Sequence, residues 1–281
     1  MTKVVMTLVV RNEEDILTAN IEYHRSVGVD YFLVLNHLST DKTSKILEYF
    51  TEIGVLSYWN ETDAAYMQDK WVTELANRAV RDFHADWVIN SDADEFWWPE
   101  IGNSIKNLLL EVPYAVDYLS VPRSNFLYHQ QTRSNFIESM VYRDLRSTNS
   151  LGKPLPPKVM HRGYEGVRVA FGNHAVDIPG KFLQGGMIPA IIFHFPIRGR
   201  EQYFKKIKDG GDALLKVPNL PSGVGATWRG LNERVKNETF DAWFDEMCKQ
   251  NLNRVSELDG VVLDTRLREV AAQLQVDKIS K

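Results

Sequence analysis

The chain has 281 residues, with 33 Lys and Arg against 37 Asp and Glu, a net charge of -4 and a pI near 6.0, so it lacks the basic excess of a nucleic-acid-wrapping surface. With 44% hydrophobic and 25% charged residues it has the composition of a chain that buries a core, so disorder is not the expectation. The one cysteine, Cys248, cannot close an internal disulfide and fits a reducing, cytoplasmic compartment; no apolar run approaches the ~20 residues of a membrane-spanning helix, and peripheral membrane contact is compatible with the sequence.

The first hundred residues alternate. Residues 4–10, VVMTLVV, form a continuous β-branched run typical of a strand buried on both faces; the run stops at Arg11 without a cleavage site, so it does not read as a signal peptide. A helix is predicted from about Glu14 to Val27, with Gly28 as its stop, then strand YFLVL (31–35), loop NHLST and a helix from about Asp41 ending at Gly54. Strand VLSYW (55–59), a long helix near 66–84 and strand DWVIN (86–90) complete the series. This spacing suits βαβ units closing on a parallel sheet, a Rossmann-like layer. In such sheets ligands sit beyond the carboxyl ends of the strands, where Arg11–Glu13, Asn36–Asp41, Asn60–Asp63 and Asp92–Asp94 all fall.

After about residue 117 the alternation breaks into short strands, YLSVP (118–122), PKVMH (157–161), VRVAF (167–171) and AIIFHF (190–195), as in an antiparallel extension. The stretch 147–157, STNSLGKPLPP, reads as a mobile loop, and from Arg200 helices return through EQYFKKI, ETFDAWFDEMCKQ and a last one near 262–275.

The segment VINSDADEFWWPE, residues 88–100, crowds Asp92, Asp94 and Glu95 after an apolar run. Like charges so close cost stability unless solvent or a cation neutralises them. On an extended strand end, carboxylates at i and i+2 point to one side, so one can ligate a hard divalent cation while the other reaches a hydroxyl or a metal-bound water.

Three motifs in order, MTLVVRNEEDIL, VLNHLSTDKTSKIL and ADWVINSDADEFWW, resemble those of GT-A glycosyltransferases, in particular the family 2-like group. The resemblance covers residues 4 to about 100 and continues more weakly through FHFPIRGREQYFKKI. It implies an α/β fold of GT-A type, a Rossmann-like mixed sheet flanked by helices with a C-terminal helical extension. The catalytic domain would span 1–200, with a nucleotide-binding half at 1–100 and an acceptor and metal half at 117–200; residues 201–281 would be the extension.

The implied activity is transfer of a sugar from a nucleotide-sugar, a UDP-sugar first among them, to a saccharide or glycoconjugate acceptor, with inversion. The implied cofactor is Mn²⁺ or Mg²⁺. By the same resemblance Arg11 and Glu13 border the base and diphosphate, while Asn36, Ser39 and Asp41 line the base and ribose side. Asp92 faces the ribose or sugar and, with Asp94, ligates the metal, and His194 is the candidate third ligand.

A divalent cation would neutralise the charge that develops on the nucleoside diphosphate as it leaves. Arg198, Arg200, Lys205 and Lys206 follow His194 and can neutralise the diphosphate as well. Inversion needs a base for the acceptor hydroxyl; Asp177, His174 and Glu95 are the candidates, and the sequence does not choose among them. Trp97 or Trp98 could floor an acceptor site.

A nucleotidyltransferase acting on sugar phosphates shares this sheet and acidic site, but it would carry a Gly-rich basic loop where this chain has VVRNEED. A non-catalytic sugar-binding relative is the other alternative.

Overall fold

The computed structural model describes residues 2–129, 135–149, 152–220 and 223–274. The chain runs β1 (Val4–Val10), α1 (Leu17–Ser26), β2 (Tyr31–His37), α2 (Thr43–Glu52), β3 (Leu56–Glu61), α3 (Gln68–Arg81), β4 (Trp87–Ser91) and β5 (Glu95–Pro99). It continues α4 (Ile105–Leu110), β6 (Tyr118–Val121), β7 (Arg123–Asn125), α5 (Phe136–Ser139), β8 (Tyr142–Asp144), β9 (Lys158–Arg162), β10 (Arg168–Val169), a 3-10 turn (Phe171–Asn173), β11 (Val176–Asp177), β12 (Gly185–Gly186) and β13 (Ala190–His194). The last elements are α6 (Arg200–Leu214), α7 (Ala226–Lys236), α8 (Phe240–Glu257), β14 (Val261–Leu263) and α9 (Arg266–Leu274).

The central sheet has the order β12-β6-β9-β4-β1-β2-β3. Strands β4, β1, β2 and β3 are mutually parallel, as their spacing predicts. Strand β9 runs antiparallel to both β4 and β6, which makes the sheet mixed and gives the expected α/β class with helices on its faces. The second half is less uniformly antiparallel than its sequence suggests, because β12 joins β6 and β13 joins β7 in parallel. The run VRVAF is a strand only over Arg168–Val169 and then coils into the 3-10 turn, where Gly172 has φ of 75°. Residues 262–274 split into strand β14, paired with β8, and helix α9; residue 275 lies outside the described residues. Residues 150 and 151 of the 147–157 loop also lie outside them, while Asn149 N–H donates to the Lys153 carbonyl at 2.8 Å.

Strand alternation sends β1 side chains to both faces. Val4, Met6, Leu8 and Val10 enter the larger core with α1 and α2, whereas Val5 and Val9 pack with Leu33, Val88 and the α3 residues Trp71 and Leu75. That explains why the run is apolar at every position but Thr7, whose hydroxyl donates to Asn90 Oδ1 at 2.8 Å. The strand order reverses between β1 and β4, which brings the ends of these two strands side by side. This is where an open α/β sheet leaves a crevice.

Helix α1 fixes one wall of that crevice. Asn20, fully buried, donates from Nδ2 to the carbonyls of Ala93 and Glu95, both at 2.9 Å. One turn on, His24 takes the Trp97 backbone N–H on Nε2 at 3.1 Å, so its Nδ1 carries the proton and donates to the Asn20 carbonyl at 2.8 Å. Trp97 is a core residue, its indole N–H donating to Ser91 Oγ at 2.9 Å, and Trp98 is partly buried, with its ring stacked on Tyr23 and Phe193, so neither offers a free face as a sugar platform.

Burial pulls the His24 pKa from 6.5 down to about 3, against the backbone hydrogen bond with Asn20 that raises it. Below pH 6.5 the unfolded chain therefore takes up a proton that the folded chain refuses, and stability falls with pH by up to about 1.4 kcal/mol per unit. Urea titrations from pH 7 down to pH 4 should show this loss, and His24→Gln should lower stability at pH 7 while flattening the slope. An unchanged slope would assign the acid sensitivity to other groups.

Candidate active site

A cavity of about 1160 Å³ opens at the carboxyl ends of β1 and β4. Asp92, Ala93 and Asp94 lie in a turn and not on an extended strand end: the Glu95 N–H donates to the Asp92 carbonyl at 3.2 Å, and the two carboxylates are consequently held by different partners. Asp92 Oδ2 accepts from Lys158 Nζ at 2.5 Å, and its Oδ1 accepts from Gln68 Nε2 at 3.2 Å and Asn173 Nδ2 at 3.3 Å. Asp94 Oδ2 accepts from Lys206 Nζ at 2.6 Å.

Burial works to raise both aspartates, and the lysines outweigh it: Lys158 holds Asp92 below the usual carboxylate range, and Lys206, with His194, Arg198 and a Lys206 hydrogen bond, holds Asp94 well below it. Both carboxylates are ionised at neutral pH.

Asp94 Oδ1 faces His194 Nε2 at 3.7 Å. The other ring nitrogen, Nδ1, is 2.7 Å from Asn125 Oδ1 and donates to it, because the Asn125 amide nitrogen is already engaged with the Thr148 carbonyl at 3.1 Å. Burial brings the His194 pKa down to about 3, so the ring is neutral and its Nε2 lone pair points to the carboxylate. Two lone pairs facing each other at this separation suit a divalent cation between them. Among the described residues no group of three His, Cys, Asp or Glu clusters to hold an ion, so further ligands would come from substrate and water.

Of the residues singled out from sequence, Arg11, Glu13, Asp41, Asp92, Asp94, His174 and His194 line this cavity. Arg198 stands behind the wall, with its side chain 1% exposed, donating to Glu13 at 2.5 Å and to Asp15 at 2.7 and 2.8 Å. Asn36 and Ser39 brace the loops: Asn36 Nδ2 donates to Asn60 Oδ1 and Ser44 Oγ, and Ser39 Oγ accepts the Asn12 N–H. Asp41 accepts from the N–H groups of Thr43 and Glu14, so it anchors the start of α2 to the loop after β1.

Glu95 is fully buried, with Lys158 at 3.1 Å and Arg123 at 3.3 Å, and does not line the cavity. Asp177 is exposed on the β10–β11 hairpin, also outside the lining. His174 is in the lining; its Nδ1 bonds the Pro157 carbonyl at 2.8 Å, and burial, followed by Lys158, lowers its pKa to about 4.

Sequence reasoning missed Lys158, Arg123, Asn173 and His37. Lys158 had one signal, a lysine in the otherwise apolar VMH strand, where a side chain 1% exposed needs a buried anion. His37 sits at the end of β2 and is fully buried in the cavity wall.

The sequence model of glycosyltransferase family 92 matches residues 5–165. The chain belongs to glycosyltransferase family 92. This makes it a glycosyltransferase, and the matched region contains every cavity residue contributed by β1, β2 and the turn after β4. No curated protein matches this family 92 chain.

Among solved structures, S. aureus TarS residues 1–349 is similar at 13% identity, covering 78% of this chain and 67% of that one, with a TM-score of 0.43. The same protein in complex with UDP-GlcNAc gives 12%, 78%, 68% and 0.44. Mannosyl-3-phosphoglycerate synthase from Rubrobacter xylanophilus gives 18%, 58%, 53% and 0.37.

Replacing one partner of a buried charge network strands the others. Lys158→Met should destabilise the protein by roughly 3 to 5 kcal/mol, since Asp92 and Glu95 lose their shared ammonium, and Glu95→Gln in that background should recover part of it. Urea midpoints of the wild type, the two single variants and the double variant measure this; additive losses would show that the lysine does not couple the two carboxylates.

Proposed function

We propose that this family 92 glycosyltransferase takes its sugar from a nucleoside-diphosphate donor, UDP-linked, and moves it to a hydroxyl of a carbohydrate or glycoconjugate acceptor with a divalent cation at Asp94 and His194. One observation carries the reading: the ionised Asp94 and the neutral His194 present opposed lone pairs 3.7 Å apart in a cavity at the β1–β4 switch point. When bound, the cation supplies Lewis acidity that stabilises the negative charge on the departing diphosphate.

The chain's own groups do the remaining work. Arg11 and Lys205, both in the cavity lining, offer guanidinium and ammonium donors to the phosphates. Asp92, whose side chain is 31% exposed, faces the cavity with both oxygens fixed by Lys158, Gln68 and Asn173, so it presents a stationary negative field to the sugar. In the transfer, the bond from the sugar C1 to the β-phosphate oxygen breaks and its electron pair leaves with the nucleoside diphosphate. The acceptor oxygen forms the new bond to C1 from the opposite face, and its proton passes to a base.

His174 is best suited to be that base. It lines the cavity and is neutral at pH 7, with Nδ1 committed to the Pro157 carbonyl and Nε2 left as acceptor. Uridine as the nucleoside draws support from His37: its Nε2 donates to the Asp63 carbonyl at 2.9 Å, and its buried Nδ1 is an acceptor without a partner, which an imide N–H would satisfy.

Calorimetric titration of UDP-glucose, UDP-galactose, UDP-N-acetylglucosamine and GDP-mannose, with Mn²⁺ and with EDTA, tests the donor assignment. One UDP-sugar should bind in Mn²⁺ and be lost in EDTA, and Asp94→Asn should weaken that binding by about a hundredfold or more. Binding that persists in EDTA would remove the cation from the reading, and no binding of any donor would remove the donor. With the acceptor in hand, His174→Ala should lower kcat by roughly a hundredfold or more while leaving donor affinity unchanged; a loss confined to KM would exclude His174 as the base.

A further inference from the structure

Helix α6 delivers one ammonium to the place where the donor reading needs a cation. Lys206 Nζ lies 2.6 Å from Asp94 Oδ2 and 3.5 Å from Glu13 Oε1, with the side chain 19% exposed and in the cavity lining. The other cation at this cluster, Arg198, is fixed behind the wall by Glu13 and both oxygens of Asp15. Asp94, Glu13 and Asp15 thus share two cations of different kinds: a planar guanidinium locked in a fork, and an ammonium on a flexible stem at the water boundary.

Three formal negative charges against two positive ones leave the cluster at -1 by this count. A divalent ion arriving alone must compete with Lys206 for Asp94. A divalent ion arriving with a diphosphate brings anionic oxygens on which the ammonium can settle instead.

We propose that Lys206 is a substrate-contacting residue that exchanges partners: it holds Asp94 and Glu13 before the donor enters, and passes to the donor's diphosphate as the divalent cation takes its place on Asp94. This rests on the nucleotide-sugar reading of the same cavity. Two consequences follow from the geometry. The bare protein binds the cation weakly, and cation and nucleotide each raise the other's affinity, because each removes the ammonium's competing partner. The lysine then stands against the leaving group throughout the transfer, where its charge complements the one that develops.

The probe is Mn²⁺ alone, titrated into wild-type protein and Lys206→Met, with free Mn²⁺ read by electron paramagnetic resonance. The variant should bind Mn²⁺ at least about tenfold more tightly than the wild type, since removing the ammonium leaves Asp94 without its competitor. Adding Asp94→Asn to Lys206→Met should abolish the gain, and Lys206→Arg, which keeps the charge, should retain weak binding. UDP binding at saturating Mn²⁺ should in turn be about tenfold weaker in Lys206→Met. Unchanged or weaker Mn²⁺ affinity in a folded Lys206→Met protein overturns the exchange at Asp94. Equal UDP affinities in the two proteins overturn the contact to diphosphate. If UDP binds to neither protein the nucleotide reading falls with that contact, while the Mn²⁺ titration still decides whether Lys206 competes at Asp94.

Discussion

The turn between β4 and β5 exists because cations from distant parts of the chain come to it. Three carboxylates in four residues cannot be buried together unless each meets positive charge. Lys158 arrives from β9, Arg123 from β7 and Lys206 from α6, 66, 28 and 112 residues away in sequence from their partners. These contacts tie the parallel layer, the antiparallel strands and the C-terminal helices to a single turn. The backbone of that turn is fixed separately by Asn20, so its side chains can be directed at a cavity and are not needed to hold the loop.

The same contacts explain how much could be read from sequence. The four parallel strands announce themselves because each is apolar for most of its length and followed by a helix-length interval, and their carboxyl-end loops follow from topology. Asp92 and Asp94 stood out in the sequence as an acidic pair at the end of an apolar strand, and His194 through the resemblance to GT-A glycosyltransferases. Lys158 and Arg123 were not, because a lysine or arginine in a short strand reads as a surface residue until the anion it meets is known. Helix α7 went unread as well: its sequence ATWRGLNERVK has a glycine in mid-course, and only Leu231 and Asn232 are fully buried. The arrangement of Asp92 and Asp94 in a turn also depends on hydrogen bonds that no spacing rule contains.

The C-terminal helices roof the cavity. Tyr66 N–H donates to the Ala213 carbonyl of α6 at 3.2 Å, and the Tyr66 ring stacks on Trp228 of α7 at 5.8 Å. Trp228 reaches that position because residue 210 is glycine: a Cβ there would sit 2.1 Å from the indole. Lys206 is on the same helix one turn earlier, so the packing that seats Trp228 also sets the ammonium over Asp94. Any movement of α6 that admits a ligand would shift both together.

The crowding of Asp92, Asp94 and Glu95 is resolved in two different ways. Protein cations neutralise the carboxylates in the folded chain, so the crowding by itself does not require a metal ion. Yet the neutralisation is uneven. Asp92 and Glu95 share a lysine that is 1% exposed and ion-paired on both sides. Asp94 shares a lysine at the cavity boundary and turns its other oxygen to a histidine that has no proton to give it. A carboxylate satisfied on one side and opposed by a lone pair on the other leaves room for the cation proposed above. The asymmetry between Lys158 and Lys206 separates the carboxylates locked by a buried lysine from the one for which cation binding is proposed.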